Sequence, residues 1–532
     1  MKKDAVLSHF FYFFGDGPRP VPPPGVGGTP DPGIKIITLS YDDRTIRIAP
    51  VNYSLGFWFF ARLTGLSYLF AFLSLFFQIP GLIGTDGILP AENFLSRVSQ
   101  ALGPGTPWAL PSLTWLFGAS NTSLHLIALT GLIASALLTF GLLRPLSAVL
   151  AWLCWLSFVN IGQDFLSFQW DTLLLEAGFL VIFLEKPGLL PTAPGRDVPP
   201  LLLRVAAWFL VFRLMLSSGL VKLLSGDPTW ADLSAMSYHF FTQPIPNPLS
   251  WFVHQIPGQF FATLATLISE LLIPFAVLIP HPRARLFAGL SFLALMALIA
   301  LTGNYAYFNL LTAALSLTLI DNRYWPRFLA PQKIPLPWTP VPWRHLCSIA
   351  AVIQLSVAFP VLLATAGLAP RMSLPLLGSL EKTFAPWHLT SGYGLFAVMT
   401  VRRPELVLEH SANGTDWQPL LFRYKAGPPD RLPPQVAPFQ PRLDWQMWFA
   451  ALSAERGQLP GWFAEFIKQL RAGSPAVTGL LAPGQPTLSP ATYLRIRMDQ
   501  YRFTTLSERS ETGHWWHITP GPVLIVLSPE DK

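Results

Sequence analysis

Leu201 to Pro248 reads LLLRVAAWFLVFRLMLSSGLVKLLSGDPTWADLSAMSYHFFTQPIPNP. The segment Leu201–Leu220 is apolar apart from Arg204, Arg213 and two serines. It has the length of about 20 residues that a helix needs to cross a bilayer core about 30 Å thick. The chain then leaves through Lys222 and packs Asp227, Trp230, His239, Gln243, Asn247 and four X-Pro steps into a short span. An apolar crossing followed by a polar block at its exit reads as a membrane helix opening onto a site.

The whole chain agrees with that reading. Of 532 residues, 51% are hydrophobic and 12% charged, against roughly 25% charged in soluble domains. Mean hydropathy is +0.43. Charges are costly in hydrocarbon, so their depletion marks a polytopic membrane protein. The net charge of +7 does not point to nucleic acid, because the cations form no basic runs with interleaved aromatics. Cys154 and Cys347 sit in apolar segments and no CxxC exists, so no redox pair or zinc site is expected. No cofactor is implied. Residues 1–14 are too short for a signal peptide, and with the Pro/Gly-rich run that follows they read as part of a flexible cytoplasmic arm over 1–50.

Nine apolar segments follow: Leu55–Gln78, Ser123–Leu143, Leu146–Val159, Leu173–Leu184, Leu201–Leu220, Phe260–Ile279, Leu286–Leu301, Tyr305–Ile320 and His345–Gly367. Three or four are short for a full crossing and are expected to be tilted, half-inserted or extended by polar ends. With the N-terminus cytoplasmic, sixteen Lys and Arg residues fall inside, and only Arg97 and Lys222 fall in outward loops. This asymmetry sets the orientation and puts the C-terminal region outside the cytoplasm. That region changes character. ELVLEHS and WQPLLFRY flank Asn413-Gly414 as a hairpin, and DWQMWFAALSA and PGWFAEFIKQLRAG have helical period. ATYLRIRMDQYRFTTL alternates like a strand, and HWWHITPG closes the region. The expected fold is a polytopic α-helical membrane domain over 51–369, followed by a β-rich, extracytoplasmic α+β domain over 370–532.

The unusual polar residues all fall on the outward side. They are Asp86 and Asn93 in the first loop, Gln163, Asp164, Asp171 and Glu176 around the second, and Lys222 to Asn247 in the third. Asn304 stands in the fourth. Arg213 and Glu176 are lone charges within apolar segments, so a mutual ion pair is expected. Lys222 either snorkels to headgroups or, if buried, becomes a candidate base. His239 and His254 lack the spacing of metal ligands, so packing or hydrogen bonding is expected and no metal is assigned. Trp445, Trp448, Trp515 and Trp516 read as core or interfacial aromatics. No nucleophile elbow, P-loop, HExxH or dinucleotide fingerprint stands in its required context.

Several blocks in order carry a resemblance. They include LIGTDGILPAENFL, GQDFLSFQWDTLLLEAGFLVIFL, the run from Trp208 to Pro257, ISELLIPF, TGNYAYFNLLTAALSL, SGYGLFAVMT, PRLDWQMWFAAL and the closing YRFTT…GHWW. Together they resemble the lipase maturation factor family from about residue 55 to 518. The resemblance implies a multipass protein, resident in the endoplasmic reticulum membrane in animals, needed there for certain secreted lipases to reach their active dimeric form. It implies a C-terminal domain that contacts the client, with Arg442, Asp444, Trp445, Trp448, Trp515 and Trp516 as candidate contacts. Short inter-span loops and no retention tail suggest a bacterial inner-membrane member with its C-terminal domain in the periplasm. The expected partners are membrane lipids and an exported client protein, lipases among the candidates. Gly219–Trp230 also resembles, over one helix exit, the membrane part of vitamin-K-dependent γ-carboxylases. That resemblance implies the alternative of a membrane enzyme for a lipid or quinone-like substrate, with Lys222 as base and Asp164, Asp227 and His239 in support. No histidine near Asn160–Asp164 matches the one those enzymes use.

Overall fold

The computed structural model describes residues 51–329, 341–368 and 375–531, so the arm expected over 1–50 lies outside the described residues. Each of the nine apolar segments is helical, Phe260–Ile279 with a break at 272–274 between Gln259–Leu271 and Phe275–Leu278. Six are long and apolar enough to cross a membrane: α1 (Ser54–Phe76), α2 (Asn121–Phe140), α5 (Leu201–Leu224), α7 (Gln259–Leu278), α8 (Pro282–Thr302) and α10 (Val341–Thr365). The other three are α3 (Leu146–Ile161), α4 (Gln169–Leu184) and α9 (Phe308–Leu317). The longest of these spans only about 24 Å at 1.5 Å per residue, short of the hydrocarbon thickness. Most of α4 is buried inside the bundle, where length need not match the bilayer. A short helix, α6 (Ala235–Thr242), stands between α5 and α7.

Helix α1 lies at the centre, packed on α2, α4 and α9, while α5 packs on α10 and α7. Close approach is set by small residues, as is usual between membrane helices. A Cβ on Gly56 would stand 2.2 Å from the carbonyl oxygen of Leu317. One end of the bundle gathers cations and their partners. Arg62 pairs with Glu185, Arg144 Nη2 donates to the Leu190 carbonyl at 2.8 Å, and Arg285 lies 3.9 Å over the Trp208 ring.

The opposite end carries the C-terminal part. Its sheet has five antiparallel strands: β1 (Arg403–Ser411), β2 (Gln418–Leu420), β3 (Tyr493–Phe503), β4 (Trp516–Thr519) and β5 (Val523–Leu527). Long β3 pairs with β1 along one side and shares its other side between β4 and β5. The β1–β2 hairpin turns through Gly414, whose φ of 77° suits a residue without a Cβ. Helices α11 (Arg442–Glu455) and α12 (Gly461–Arg471) complete this part. Strand β5 adds a strand beyond the HWWHITPG segment that reads in sequence as the close of the region. One continuous hydrophobic cluster contains Phe72 and Trp155 from the bundle together with Leu406, Trp462 and Ile496 from the sheet part. From Val51 onward the chain is one compact unit.

Candidate functional site

Side-chain polarity is concentrated where the sheet part meets the bundle. Helix α4 begins at Gln169, so Asp171 stands in its first turn and points into the junction. Arg442, at the start of α11, grips both Asp171 oxygens at 2.9 Å, and neither side chain is exposed. The Tyr307 hydroxyl donates to Asp171 Oδ1 at 2.7 Å, and Arg442 Nη1 also donates to the Phe165 carbonyl at 2.6 Å. A buried carboxylate with three donors is compensated in a way that a bare ion pair is not.

The other outward residues divide by what they hold. Asn304 donates to the carbonyls of Ile245 and Pro434 and accepts from the backbone of Val436 and Ala437 at 2.7 and 2.9 Å. Asn247 caps its own helix and donates to Gln435 Oε1 at 2.8 Å. Asp227 accepts from the Met399 amide at 2.6 Å, and Trp230 donates to the Phe396 carbonyl at 3.1 Å. Gln163 donates to the Leu89 carbonyl, and the Asp164 carbonyl accepts from Gln446. Glu176 pairs with Arg213 and accepts from Tyr393, the ion pair expected of two lone charges in apolar helices. Asp86 and Asn93 stay exposed, and the Asp86 carbonyl accepts from Ser474 of the sheet part. Most of the polar face is thus the seat of the sheet part rather than an open surface.

The candidate client contacts are largely enclosed. Arg442, Asp444, Trp445, Trp448 and Trp516 are all buried, and Trp515 is only partly exposed. Trp445 stacks edge-on to Trp170 at 4.8 Å, and Trp448 donates to the Thr242 carbonyl at 2.8 Å. Asp444 accepts from the Tyr424 and Lys425 amides. Burial pushes its carboxyl above the usual range, and those amides pull it back. A client could reach these five only if the two parts separated. Aromatic and Arg enrichment marks a buried seam as readily as a binding surface.

Lys222 forms a second polar centre inside the bundle. Its Nζ donates to Glu270 Oε2 at 2.7 Å and to the Ser218 carbonyl at 3.1 Å, and lies 5.3 Å from the Trp230 ring centre. The snorkelling position expected for an exposed lysine is not adopted, because the side chain is 5% exposed. His239, on α6, has its Nε2 3.3 Å from the Tyr305 hydroxyl, and that hydroxyl donates to Gln243 Oε1 at 3.0 Å. Burial, with Lys222 adding to it, lowers the His239 imidazole to about 4. A cavity of about 500 Å³ opens beside Lys222, Glu270, His239 and Tyr305. Among the described residues no three His, Cys, Asp or Glu side chains gather as metal ligands would.

Glu270 is a site residue that the sequence reading missed, although it stands in the ISELLIPF block. A lone carboxylate inside Phe260–Ile279 carries the same signal that singles out Glu176. Arg403 was missed too. It is buried, with its guanidinium on the Phe241 and Pro244 carbonyls and on Glu405 at 2.7 Å. Within a strand of the C-terminal part, nothing in sequence separates it from a surface arginine.

Comparison with known proteins agrees with this two-part construction. The family profile described as "Lipase maturation factor transmembrane domain" matches residues 56–327, and that described as "Lipase maturation factor C-terminal domain" matches residues 389–520. Lipase maturation factor 2 of Rattus norvegicus is 33% identical, over 85% of this chain and 80% of the rat protein. Lipase maturation factor 1 of Mus musculus is 32% identical, over 84% of this chain and 83% of the mouse protein. No solved structure matches the chain. A multipass helix bundle capped by an antiparallel sheet, with both family profiles matched in order, makes this chain a member of the lipase maturation factor family.

Proposed function

We propose that this protein is a membrane-anchored maturation factor that assists the folding or assembly of exported proteins, lipases among them. The observation that carries the proposal is the similarity over most of the chain to proteins named lipase maturation factor 1 and 2. In this reading the sheet part faces away from the cytoplasm, in the periplasm of a bacterial inner membrane. The cation-rich end of the bundle opposite the sheet supports that orientation. The client would meet the outer surface of the sheet part, since the seam beneath it is filled.

The test is a deletion strain making a secreted lipase, with lipase amount and specific activity measured separately. Expected is a fall in specific activity at constant amount, restored by the full chain. Unchanged specific activity in the deletion strain overturns the proposal.

A second reading, a membrane enzyme with Lys222 as base, is favoured by the cavity at that residue. The contacts of Lys222 favour it less. The nitrogen donates to a carboxylate and a carbonyl, whereas a base must present a lone pair to its substrate.

A further inference from the structure

The cavity beside Lys222 has a shape and a setting that the maturation-factor reading does not account for. Its side walls come from α5, α7, α8 and α9, and Met236, His239 and Phe240 of α6 also line it. Helix α7 packs on α5 and α8 packs on α9; α7 and α8 meet mainly at Phe275–Leu278, beside the turn that joins them, and touch each other little over Gln259–Leu271. The cavity occupies the gap between these two pairs. Ala265 on α7 and Ala294 and Leu298 on α8 line it and are also exposed on the outer surface. They frame a side window, two of them with the smallest side chain that still carries a Cβ.

That window opens where hydrocarbon belongs. Helices α7 and α8 are the most exposed of the six long helices. Phe260, Phe261, Leu264, Phe287 and Leu290 stand on their outer faces. Along α8 the lining runs from Ser291 to Thr302, about 16 Å at 1.5 Å per residue. This is about half of a hydrocarbon core 30 Å thick, the depth of one leaflet. The end at Thr302 is the end nearest the sheet part, since Gln243 bonds the Thr302 carbonyl while Arg403 holds Phe241.

The lining chemistry narrows the occupant. Met215, Leu295, Ile299 and Phe308 are among the apolar majority. The charges present, Lys222 and Glu270, neutralise each other at 2.7 Å, so the cavity does not call for an ionic ligand. Its volume of about 500 Å³ lies in the lower part of the range that encloses small ligands. It suits one chain rather than a whole two-chained lipid.

We propose that this cavity binds a single hydrocarbon chain of a bilayer amphiphile, which enters sideways between α7 and α8 and lies along the wall bearing Lys222 and Glu270. The chain is either one tail of a phospholipid that stays in the leaflet or a free single-chain amphiphile. Transfer of the tail from bilayer to cavity gains little hydrophobic energy, because both surroundings are apolar. Occupancy is driven instead by packing contacts that an empty cavity forfeits.

The full chain in phosphatidylcholine nanodiscs, doped with a diazirine-bearing stearic acid or with phosphatidylcholine bearing the diazirine at a chain end, provides the test. After irradiation the labelled residues are located by mass spectrometry. Label is expected on the inward-facing Met215 and Ile299 in at least one arm. The stearic acid arm alone would identify a free amphiphile, and the phospholipid arm a resident bilayer lipid. Ala294→Trp closes the window and is expected to reduce the inward label about ten-fold, equivalent to about 1.4 kcal/mol of lost affinity. Ile133→Trp, on the exposed face of α2 away from the cavity, is expected to leave it unchanged. Ala265→Trp closes the window from the other side and serves if the first variant does not fold. Label confined to outer residues such as Leu264 and Leu290, or inward label indifferent to both window variants, overturns the proposal. The lipase assay can fail without touching this result, and the reverse also holds.

Discussion

Asp171 and Arg442, 271 residues apart, form a two-pronged ion pair with both contacts at 2.9 Å and no exposure on either side. Asp171 belongs to the helix bundle and Arg442 to the first helix after the β1–β2 hairpin. The pair therefore fixes the sheet part on the membrane part at a single rotational setting. Around it, Gln78 accepts from the Arg442 amide at 2.9 Å, and Ser74 and Gln440 exchange hydrogen bonds. Two parts with different folds are held as one by polar contacts enclosed in a shared apolar core.

Breaking that pair on one side leaves a charge without its counter-ion in a buried seam. Asp171→Asn or Arg442→Met is expected to destabilise the protein by about 3–5 kcal/mol. The double replacement Asp171→Leu with Arg442→Met should recover much of the loss, since no charge remains. Thermal unfolding in detergent reads the stability. A double change no better than either single change would show that the pair's contribution is not electrostatic.

Asn304 holds the Pro434–Ala437 segment with both ends of its amide. Asn304→Ala removes its hydrogen bonds to that segment and leaves the Val436 amide buried without an acceptor. The expected cost is about 1–3 kcal/mol, with faster hydrogen exchange at Val436 and Ala437. Protection equal to wild type at those two amides counts against the assignment.

Lys222 and Glu270 separate the two functional readings. Lys222→Met and Glu270→Gln singly are expected to lower stability, each by leaving a buried group unpaired. The double variant removes the charges together. If the protein is a maturation factor, the double variant restores lipase maturation along with stability. If Lys222 is a base, the double variant is stable and inactive.

His239 sets a pH dependence with a definite sign. Its imidazole is lowered to about 4 in the folded protein, against the ordinary 6.5 of a solvated histidine. Between those values the unfolded chain binds the proton and the folded one does not, so stability rises with pH across this window. It is fully present above about 6.5 and is lost as pH falls toward 4. The neighbours that enforce this are Lys222 and the rings of Phe240, Phe396 and Tyr305. His239→Gln should flatten the slope of unfolding midpoint against pH between about 4 and 6.5. An unchanged slope would assign the dependence to His254, His388 or His410, which burial lowers in the same direction.

Orientation can be read with thiols, because Cys154 and Cys347 are both buried. Ser510→Cys lies on the exposed surface of the sheet part and Arg196→Cys at the cation-rich end. An impermeant maleimide should label the first in intact cells and the second only after permeabilisation. The opposite pattern would place the sheet part in the cytoplasm and remove the exported-client proposal.

Much of the fold is legible in the sequence. Apolar runs of the right length become helices because no alternative satisfies the backbone in hydrocarbon. The β1–β2 hairpin and α11 follow from turn chemistry and period. The Arg213–Glu176 pair is legible because a lone charge in an apolar helix needs a partner, and each has few to choose from. Glu270 satisfies the same rule, yet its pairing with Lys222 emerges only in the folded bundle.

Sequence by itself determined that the chain crosses a membrane repeatedly, which end of the bundle is cationic, and that a β-rich part follows. These are properties of local composition and period, which act within a window of about twenty residues. Only tertiary structure decided that the polar face is a seam rather than an open site, that Asp171 belongs to Arg442, and that a cavity lined by Ala265 and Ala294 forms beside Lys222. Each depends on residues brought together across long stretches of chain, where burial and pairing are set by packing and local pattern carries no signal.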